Sequence, residues 1–187
     1  MELQGEKCRL RAWRLEDAEA LAAVAHNQNI WRNLTSRFPN PYRVEDAHAF
    51  IGRTLESMSD RVFCIEVDGL VAGCIGCHRL DEATHEHEME FGYWVAEPCW
   101  GRGIATEAAK LMVEHIFVTY PIIRLQAGVF GWNPASARVL EKNGFVLEGR
   151  LRQAVKKGDA YCDLLIYGLL RQEVLKGPTG PKGAKGR

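Results

Sequence analysis

The stretch WGRGIATEA, residues 100–108, places two glycines between a strand-like segment and the first turn of a helix with one apolar face. Glycine lets a backbone turn sharply and approach a ligand closely, and the free N–H groups of a helix start bind phosphate with help from the macrodipole. The stretch therefore predicts a loop for a phosphate or pyrophosphate group. A tight turn that only caps a helix is the alternative interpretation.

Two common nucleotide motifs do not fit this loop. The P-loop pattern G-x-x-x-x-G-K-[ST] occurs nowhere in the chain. The dinucleotide fingerprint G-x-G-x-x-G fits Gly101 and Gly103, but Thr106 stands where the third glycine belongs, and the flanking pattern is a β-meander rather than an opening βαβ unit. NAD and ATP are therefore poor candidate ligands.

Outward from the loop, apolar periodicity predicts strands and helices along most of the chain. Upstream we expect strands at residues 7–13, 61–67, 70–80 and 88–95, and helices at 15–26 and 44–57. Downstream we expect helices at 104–119 and 134–142, and strands at 122–129, 145–153 and 160–170. Asp68-Gly69 favours a type I′ hairpin turn. The order predicts an α+β or mixed α/β fold with helices packed on one sheet.

The 187 residues, 47% of them hydrophobic, are enough for one core. We expect a single domain over residues 1–175 and a disordered Gly/Pro/Lys tail over 176–187. The 24 basic and 24 acidic residues cancel, so the chain has no overall basic field for nucleic acid or an anionic membrane. Scattered N-terminal charges and the lack of a long apolar run predict a cytoplasmic protein. We expect it to be a monomer or a homodimer.

Cysteine and histidine motifs suggest no metal or haem. The six cysteines are expected to be reduced, because nothing indicates export. C-x-x-C-H at residues 74–78 spells a haem attachment pattern but falls inside a predicted buried strand. His85 and His87 supply fewer than the three or four ligands of a zinc site.

Several segments, taken in order, resemble the GCN5-related N-acetyltransferases (GNAT), and specifically their Rim-type ribosomal-protein N-terminal acetyltransferase branch. The loop fits that family's Q/R-x-x-G-x-G/A pattern at Gly103 and Ala105, with Trp100 in the first position. The similarity extends through RLRAWRLEDAEAL, RFPNPYRVEDAHAFI, MEFGYWVAEPCWGRGIATEA and NPASARVLEKNGFVLEGRLR. It implies a mostly antiparallel sheet of about seven strands with about four flanking helices.

The resemblance implies a site for acetyl-CoA, with no metal. The backbone amides that would hold the pyrophosphate are those of Gly101, Arg102, Gly103, Ile104, Ala105 and Thr106. The backbone N–H of Val95 would bind the thioester carbonyl, which is an oxyanion-hole device. Asn133 and Ser136 match the second coenzyme segment. Taken as sequence alone, Asn133 before a proline is simply a helix N-cap.

The wider family usually has a tyrosine acid where Leu140 stands, but the Rim-type branch has a serine at the position of Ser136. The resemblance therefore makes Ser136 the candidate that stabilises or protonates the departing thiolate. Glu90, five residues before Val95, is the candidate base, with a solvated charge as the alternative. Asp163 interrupts an apolar strand, and we favour a structural role as an acceptor for backbone amides.

The sequence thus predicts direct acetyl transfer from acetyl-CoA to a primary amine. An α-amino group has a pKa of about 7.7 to 8.0 and is partly neutral at pH 7, whereas a lysine amine near 10.4 is not, so a protein or peptide N-terminus is the favoured acceptor. A small amine such as a polyamine, an amino acid or an antibiotic is the alternative. A non-catalytic acyl-CoA-binding module is a further one.

Overall fold

The computed structural model describes residues 2–57, 61–80 and 83–175, which form one eight-stranded sheet with helices on both faces. The strands are β1 (Glu2–Gln4), β2 (Arg9–Arg11), β3 (Val62–Val67), β4 (Leu70–Arg79), β5 (Glu88–Val95), β6 (Arg124–Phe130), β7 (Val146–Lys157) and β8 (Ala160–Leu170). The helices are α1 (Ala18–Ala25), α2 (Gln28–Trp31), α3 (Val44–Glu56), α4 (Ile104–Thr119), α5 (Pro134–Lys142) and α6 (Arg171–Leu175). The predicted α+β class is confirmed.

Most predicted elements are present, and the differences involve short ones. The predicted strand at residues 7–13 is only the three-residue β2, and β1, α2 and α6 were not predicted. Elements of three to five residues span little more than one hydrophobic period, which is too short for pattern reading to detect. The β3–β4 turn is as predicted, with positive φ at Asp68 (52°) and Gly69 (79°). The predicted tail at 176–187 lies outside the described residues.

The sheet opens into a cleft between β5 and β6. The strand order is β1-β2-β3-β4-β5-β6-β8-β7, and the β5–β6 pair is parallel whereas its neighbours are antiparallel. In the described register, β5 and β6 pair only from Glu88↔Arg124 to Glu90↔Gln126. Beyond that point β5 stays paired with β4 up to Val95, and β6 stays paired with β8 up to Phe130. The two strands therefore separate toward their C-terminal ends.

Two hydrophobic cores hold the layers together. One lies between the sheet and α4 and α5, and includes Met89, Phe91, Met112 and Leu140. The other lies between the opposite face and α1 and α3, and includes Leu21 and Ile51. Because side chains alternate along β5, its odd-numbered residues face α4 and α5 and its even-numbered residues face α1 and α3.

Glu107 ties the N-terminal hairpin to the start of α4. Its carboxylate accepts hydrogen bonds from the backbone N–H groups of Glu6 (3.1 Å), Lys7 (2.7 Å) and Cys8 (3.0 Å). Burial alone would raise the pKa of Glu107, but these three donors lower it, so the side chain stays ionised. In the part of the chain that the structure describes, no helix is long and apolar enough to cross a membrane.

Candidate active site

The glycine loop turns the chain from β5 into α4. Gly101 (φ 74°) and Gly103 (φ 79°) adopt the left-handed conformation that glycine accepts without strain. Gly103 is the N-cap of α4, so the N–H groups of Ile104, Ala105 and Thr106 have no carbonyl one turn earlier inside the helix. A side chain at Gly101 would meet nothing within 4 Å. The loop thus offers amides without an intrahelical acceptor and open space at Gly101, which fit a pyrophosphate.

A cation lies beside this loop. A Cβ added at Gly103 would come within 2.8 Å of Lys7 Nζ, so the ammonium group covers one side of the glycine. The hydrogen bonds that the Glu107 carboxylate accepts from the backbone of residues 6–8, called the Glu107 clamp below, fix the backbone of Lys7 there. Arg102, by contrast, extends toward the β3–β4 turn, with its Nη2 3.7 Å from Asp68 Oδ2, so only its backbone belongs to the loop.

Strand pairing directs the amide of Val95 into the cleft. Ala96 N donates to Ala72 O (2.8 Å), so this antiparallel pair exchanges a hydrogen bond with β4. Such pairs alternate along the ladder, and Val95, which pairs with Gly73, therefore turns its N–H and C=O away from β4. Trp100 Nε1 donates to that carbonyl at 2.7 Å. The N–H of Val95 is left to face the cleft, as an oxyanion donor must.

The hydroxyls of Ser136 and Tyr93 meet across the cleft. Asn133 Oδ1 accepts from Ser136 N at 3.2 Å, so Asn133 is the helix N-cap that the sequence predicted. Ser136 Oγ, in the first turn of α5, lies 2.9 Å from the hydroxyl oxygen of Tyr93 on β5. Burial raises the pKa of Tyr93 and the hydrogen bond with Ser136 partly offsets that rise, so the pKa is about 12. Tyr93 is therefore protonated at neutral pH.

Glu90 lies at the vertex of the cleft. It is exposed and forms the last pair with Gln126 before β5 and β6 separate. As an even-numbered residue it faces α1 and α3, opposite Tyr93 and Ser136. Five residues of strand, roughly 16 Å, separate it from Val95. Glu90 is thus on the face opposite the glycine loop, at a distance that requires water to carry any proton to it.

Asp163 has the structural contacts that the sequence favoured. Its carboxylate accepts from Gln153 N at 2.8 Å and from Arg150 Nε. Its backbone carbonyl accepts from Gly131 N at 2.8 Å. Gln153, with φ 52°, belongs to the irregular part of β7 that these hydrogen bonds hold in place. The residue therefore joins the end of β6 to the β7–β8 hairpin.

Three residues of the site escaped the sequence analysis. Tyr93 could have been noticed because it is two residues from Val95 and so on the same strand face. Lys7 and Glu107 carry no signal, because 100 residues separate them in the chain. Among the residues described, no group of three His, Cys, Asp or Glu side chains is placed to hold a metal.

The separated strand pair has a free amide at its mouth beside a glycine-turned helix start. This arrangement suits an acyl donor that carries phosphate, because the helix start can bind the phosphate and the amide can stabilise an oxyanion. Residues 7–146 match the acetyltransferase (GNAT) domain, and the chain belongs to this family of acetyl-CoA-dependent N-acetyltransferases. It is 38% identical over 179 residues to the probable N-acetyltransferase YjcK of Bacillus subtilis, covering 91% of this chain and 98% of that one.

Two further relatives have names that state more. The ribosomal-protein-serine acetyltransferase of Escherichia coli is 32% identical over 107 residues, which is 57% of this chain and 59% of that protein. The structure of Mycobacterium smegmatis RimJ in complex with CoA-disulfide superimposes with a TM-score of 0.75 at 28% identity, covering 89% of this chain and 83% of that one. The mixed fold and its open sheet agree with those of solved acetyltransferases.

We expect Trp100→Phe to weaken CoA binding about fivefold. The variant keeps the ring but removes the N–H that holds the Val95 carbonyl, and one net hydrogen bond is worth about 1 kcal/mol. Isothermal titration with CoA measures the change. Trp100→Gln, which restores a side-chain amide donor, is the matched control and should bind more tightly than the phenylalanine variant. Wild-type affinity in Trp100→Phe would show that the anchor is dispensable.

Proposed function

We propose that this enzyme transfers the acetyl group of acetyl-CoA directly to the α-amino group of a protein or peptide N-terminus. The observation that carries the proposal is the amide of Val95, which faces the open cleft next to the glycine loop. The coenzyme supplies the activated thioester when bound. The amides from Gly101 to Thr106 would hold its pyrophosphate, and Val95 N–H would stabilise the oxyanion as the amine nitrogen attacks.

Each remaining proton has a place in this scheme. The C–N bond forms as the amine loses a proton to water, which would pass it to Glu90 on the opposite face of the sheet. The C–S bond then breaks, and the sulfur takes its electron pair. Ser136 Oγ–H would donate to this thiolate, with Asn133 fixing the backbone of Ser136. A thiol with a pKa near 8.5 is a good leaving group, so one hydrogen bond is sufficient help.

The weak base favours an α-amino acceptor. Glu90 could act only through water, and an α-amino group with a pKa of about 7.7 to 8.0 already has a neutral fraction at pH 7. A lysine side chain or polyamine has a pKa near 10.4, roughly three units higher, so a far smaller fraction of it is neutral at pH 7. The relative named for ribosomal-protein serine acetylation supports a protein acceptor.

Two cationic side chains hold the end of α2 in place. Helix α2 bridges to the end of β6 and to the β7–β8 hairpin through two cation–π contacts. Arg32 lies 5.8 Å from the centre of the Trp132 ring, and Lys157 Nζ lies 4.0 Å from that of Trp31. Lys157 also donates to Leu34 O at 2.7 Å. These contacts hold α2 against the end of β6 and the β7–β8 hairpin.

The first test is thermal unfolding with acetyl-CoA, CoA, NAD and ATP. A ligand present at about 100 times its Kd adds roughly 2.7 kcal/mol of stability. We expect the melting temperature to rise with acetyl-CoA and with CoA, and to stay unchanged with NAD or ATP. An acceptor screen then compares N-terminal peptides, the same peptides with a blocked α-amine and a free lysine, and spermidine. Acetylation of spermidine alone would refute the proposed acceptor.

We expect Ser136→Ala and Glu90→Gln each to lower kcat about tenfold while Kd for CoA stays within twofold, since neither change touches the loop. This magnitude corresponds to one hydrogen bond of about 1.4 kcal/mol in the transition state. Steady-state kinetics and titration with CoA measure the two quantities. Ala135→Gly, next to Ser136 on the exposed side of α5, is a control for perturbation of the helix. Unchanged kcat in both variants would remove these roles.

A further inference from the structure

The hydroxyl groups of Tyr93 and Ser136 are in hydrogen-bond contact, and the single phenol proton has two possible acceptors. Tyr93 comes from β5 and Ser136 from α5, so the 2.9 Å contact between their oxygens joins the two sides of the opening. The Tyr93 hydroxyl is also placed to donate to the backbone carbonyl oxygen of Ser136, at the longer distance of 3.2 Å. A phenol has one proton and cannot donate fully to both acceptors.

The direction of the 2.9 Å bond decides what Ser136 can do. If Ser136 donates to Tyr93, the serine proton is occupied and none remains for a ligand. If Tyr93 donates to Ser136 Oγ, the serine proton is free for a third atom, and the donated bond polarises it. The phenol remains protonated throughout the neutral range, because burial raises its pKa to about 12.

We propose that Tyr93 is a positioning residue that donates to Ser136 Oγ and thereby turns the serine proton toward the departing sulfur of acetyl-CoA. This inference rests on the proposed function. As the C–S bond breaks, its electron pair goes to sulfur, which accepts the Ser136 hydrogen bond and is later protonated by solvent. Tyr93 neither gains nor loses a proton, so its high pKa is compatible with the role.

Two observations distinguish this arrangement from ordinary packing. Tyr93 lies on the same face of β5 as the side chain of Val95, two residues away, so the phenol comes from the strand segment that carries the amide facing the cleft. Asn133 holds the backbone N–H of Ser136, which fixes the start of α5 and leaves the serine hydroxyl as the rotatable group. The hydrogen bond from Tyr93 then determines where the Ser136 O–H points.

A double-mutant cycle tests the proposal with the wild type, Tyr93→Phe, Ser136→Ala and the double variant. Tyr93→Phe should lower kcat about fivefold and leave both KM for acetyl-CoA and Kd for CoA within twofold. In the Ser136→Ala background the same change should leave kcat within 1.5-fold. Tyr120→Phe, a half-buried tyrosine just after α4, is the control for loss of a phenol and should match the wild type.

The outcomes separate this inference from the proposed function. An equal loss of kcat in both backgrounds, or a rise in KM with kcat unchanged, would overturn it, because Tyr93 would then act by packing or binding alone. A lowered kcat in Tyr93→Phe together with a wild-type kcat in Ser136→Ala would overturn it as well, because Tyr93 would then not act through Ser136. Absence of turnover in the wild type with every amine would refute the proposed function instead. Thermal unfolding of each variant verifies that it is folded.

Discussion

Gly73→Ala is expected to lower kcat/KM at least about a hundredfold. Gly73 pairs with Val95, and a Cβ there would lie 2.3 Å from Trp94 O and 3.0 Å from Val95 Cα. Its φ of 156° is also strained for any L side chain, at a cost of about 1–3 kcal/mol. The backbone of β5 must move away, and it carries the amide that we assign to the oxyanion. Loss of such a donor typically lowers kcat by about 10² to 10³.

Steady-state kinetics and a melting curve should be measured together for this variant. Gly149→Ala in β7 is the matched control, because a Cβ there meets nothing within 4 Å and the glycine has no positive φ. The control should keep wild-type activity and melting temperature. A folded Gly73→Ala protein that retains activity within threefold would show that the position of the Val95 amide does not limit the reaction.

Elements with strong local signals could be predicted to the residue. β5 ends where Glu97-Pro98 follows, and α5 begins at Asn133-Pro134, where an N-cap precedes a proline at the first helical position. The glycine loop was predicted from the same kind of local chemistry. In each case the residues that decide the structure lie within a few positions of one another.

The remainder of the site depends on contacts that no local pattern contains. The separation of β5 and β6 follows from where their pairing ends, and the meeting of Tyr93 with Ser136 follows from the placement of α5 across that gap. The Glu107 clamp joins residues 100 positions apart. Glu90 was chosen by its closeness in sequence to Val95, yet alternation places its side chain on the opposite face of the sheet.

The same limit applies to the buried ions of the N-terminal half. Arg11 appeared in the sequence as one charge in an alternating strand. In the structure it is 3% exposed and donates to Asp17 through Nη1 (2.7 Å) and Nη2 (2.9 Å), and to Glu66 through Nε. Both acids are also buried, at 7% and 6% exposure. This network joins β2, β3 and the turn before α1.

Arg11→Leu should therefore destabilise the protein by about 3–5 kcal/mol, because it leaves two buried carboxylates without their shared partner. For a chain of this length that corresponds to a fall in melting temperature of roughly 6 to 20 °C. Arg14→Leu, three residues on and exposed, is the control and should shift melting by only a degree or two. Differential scanning calorimetry at pH 7 gives both values.

The pH dependence of this loss tests its cause. Burial alone would raise the pKa of Asp17 and Glu66, but hydrogen bonds outweigh it and hold both pKa values below their ordinary range. Arg11 donates to both carboxylates, and Arg9 adds a donor to Glu66 and the backbone N–H of Arg14 one to Asp17. The stability that these lowered pKa values contribute is present above about pH 4.3, where unfolded carboxyls are ionised, and disappears as the pH falls through the folded pKa values. The melting temperatures of wild type and Arg11→Leu should accordingly converge as the pH falls below about 4.3 and through the folded pKa values. A constant difference across that range would assign the effect of Arg11 to packing instead of charge.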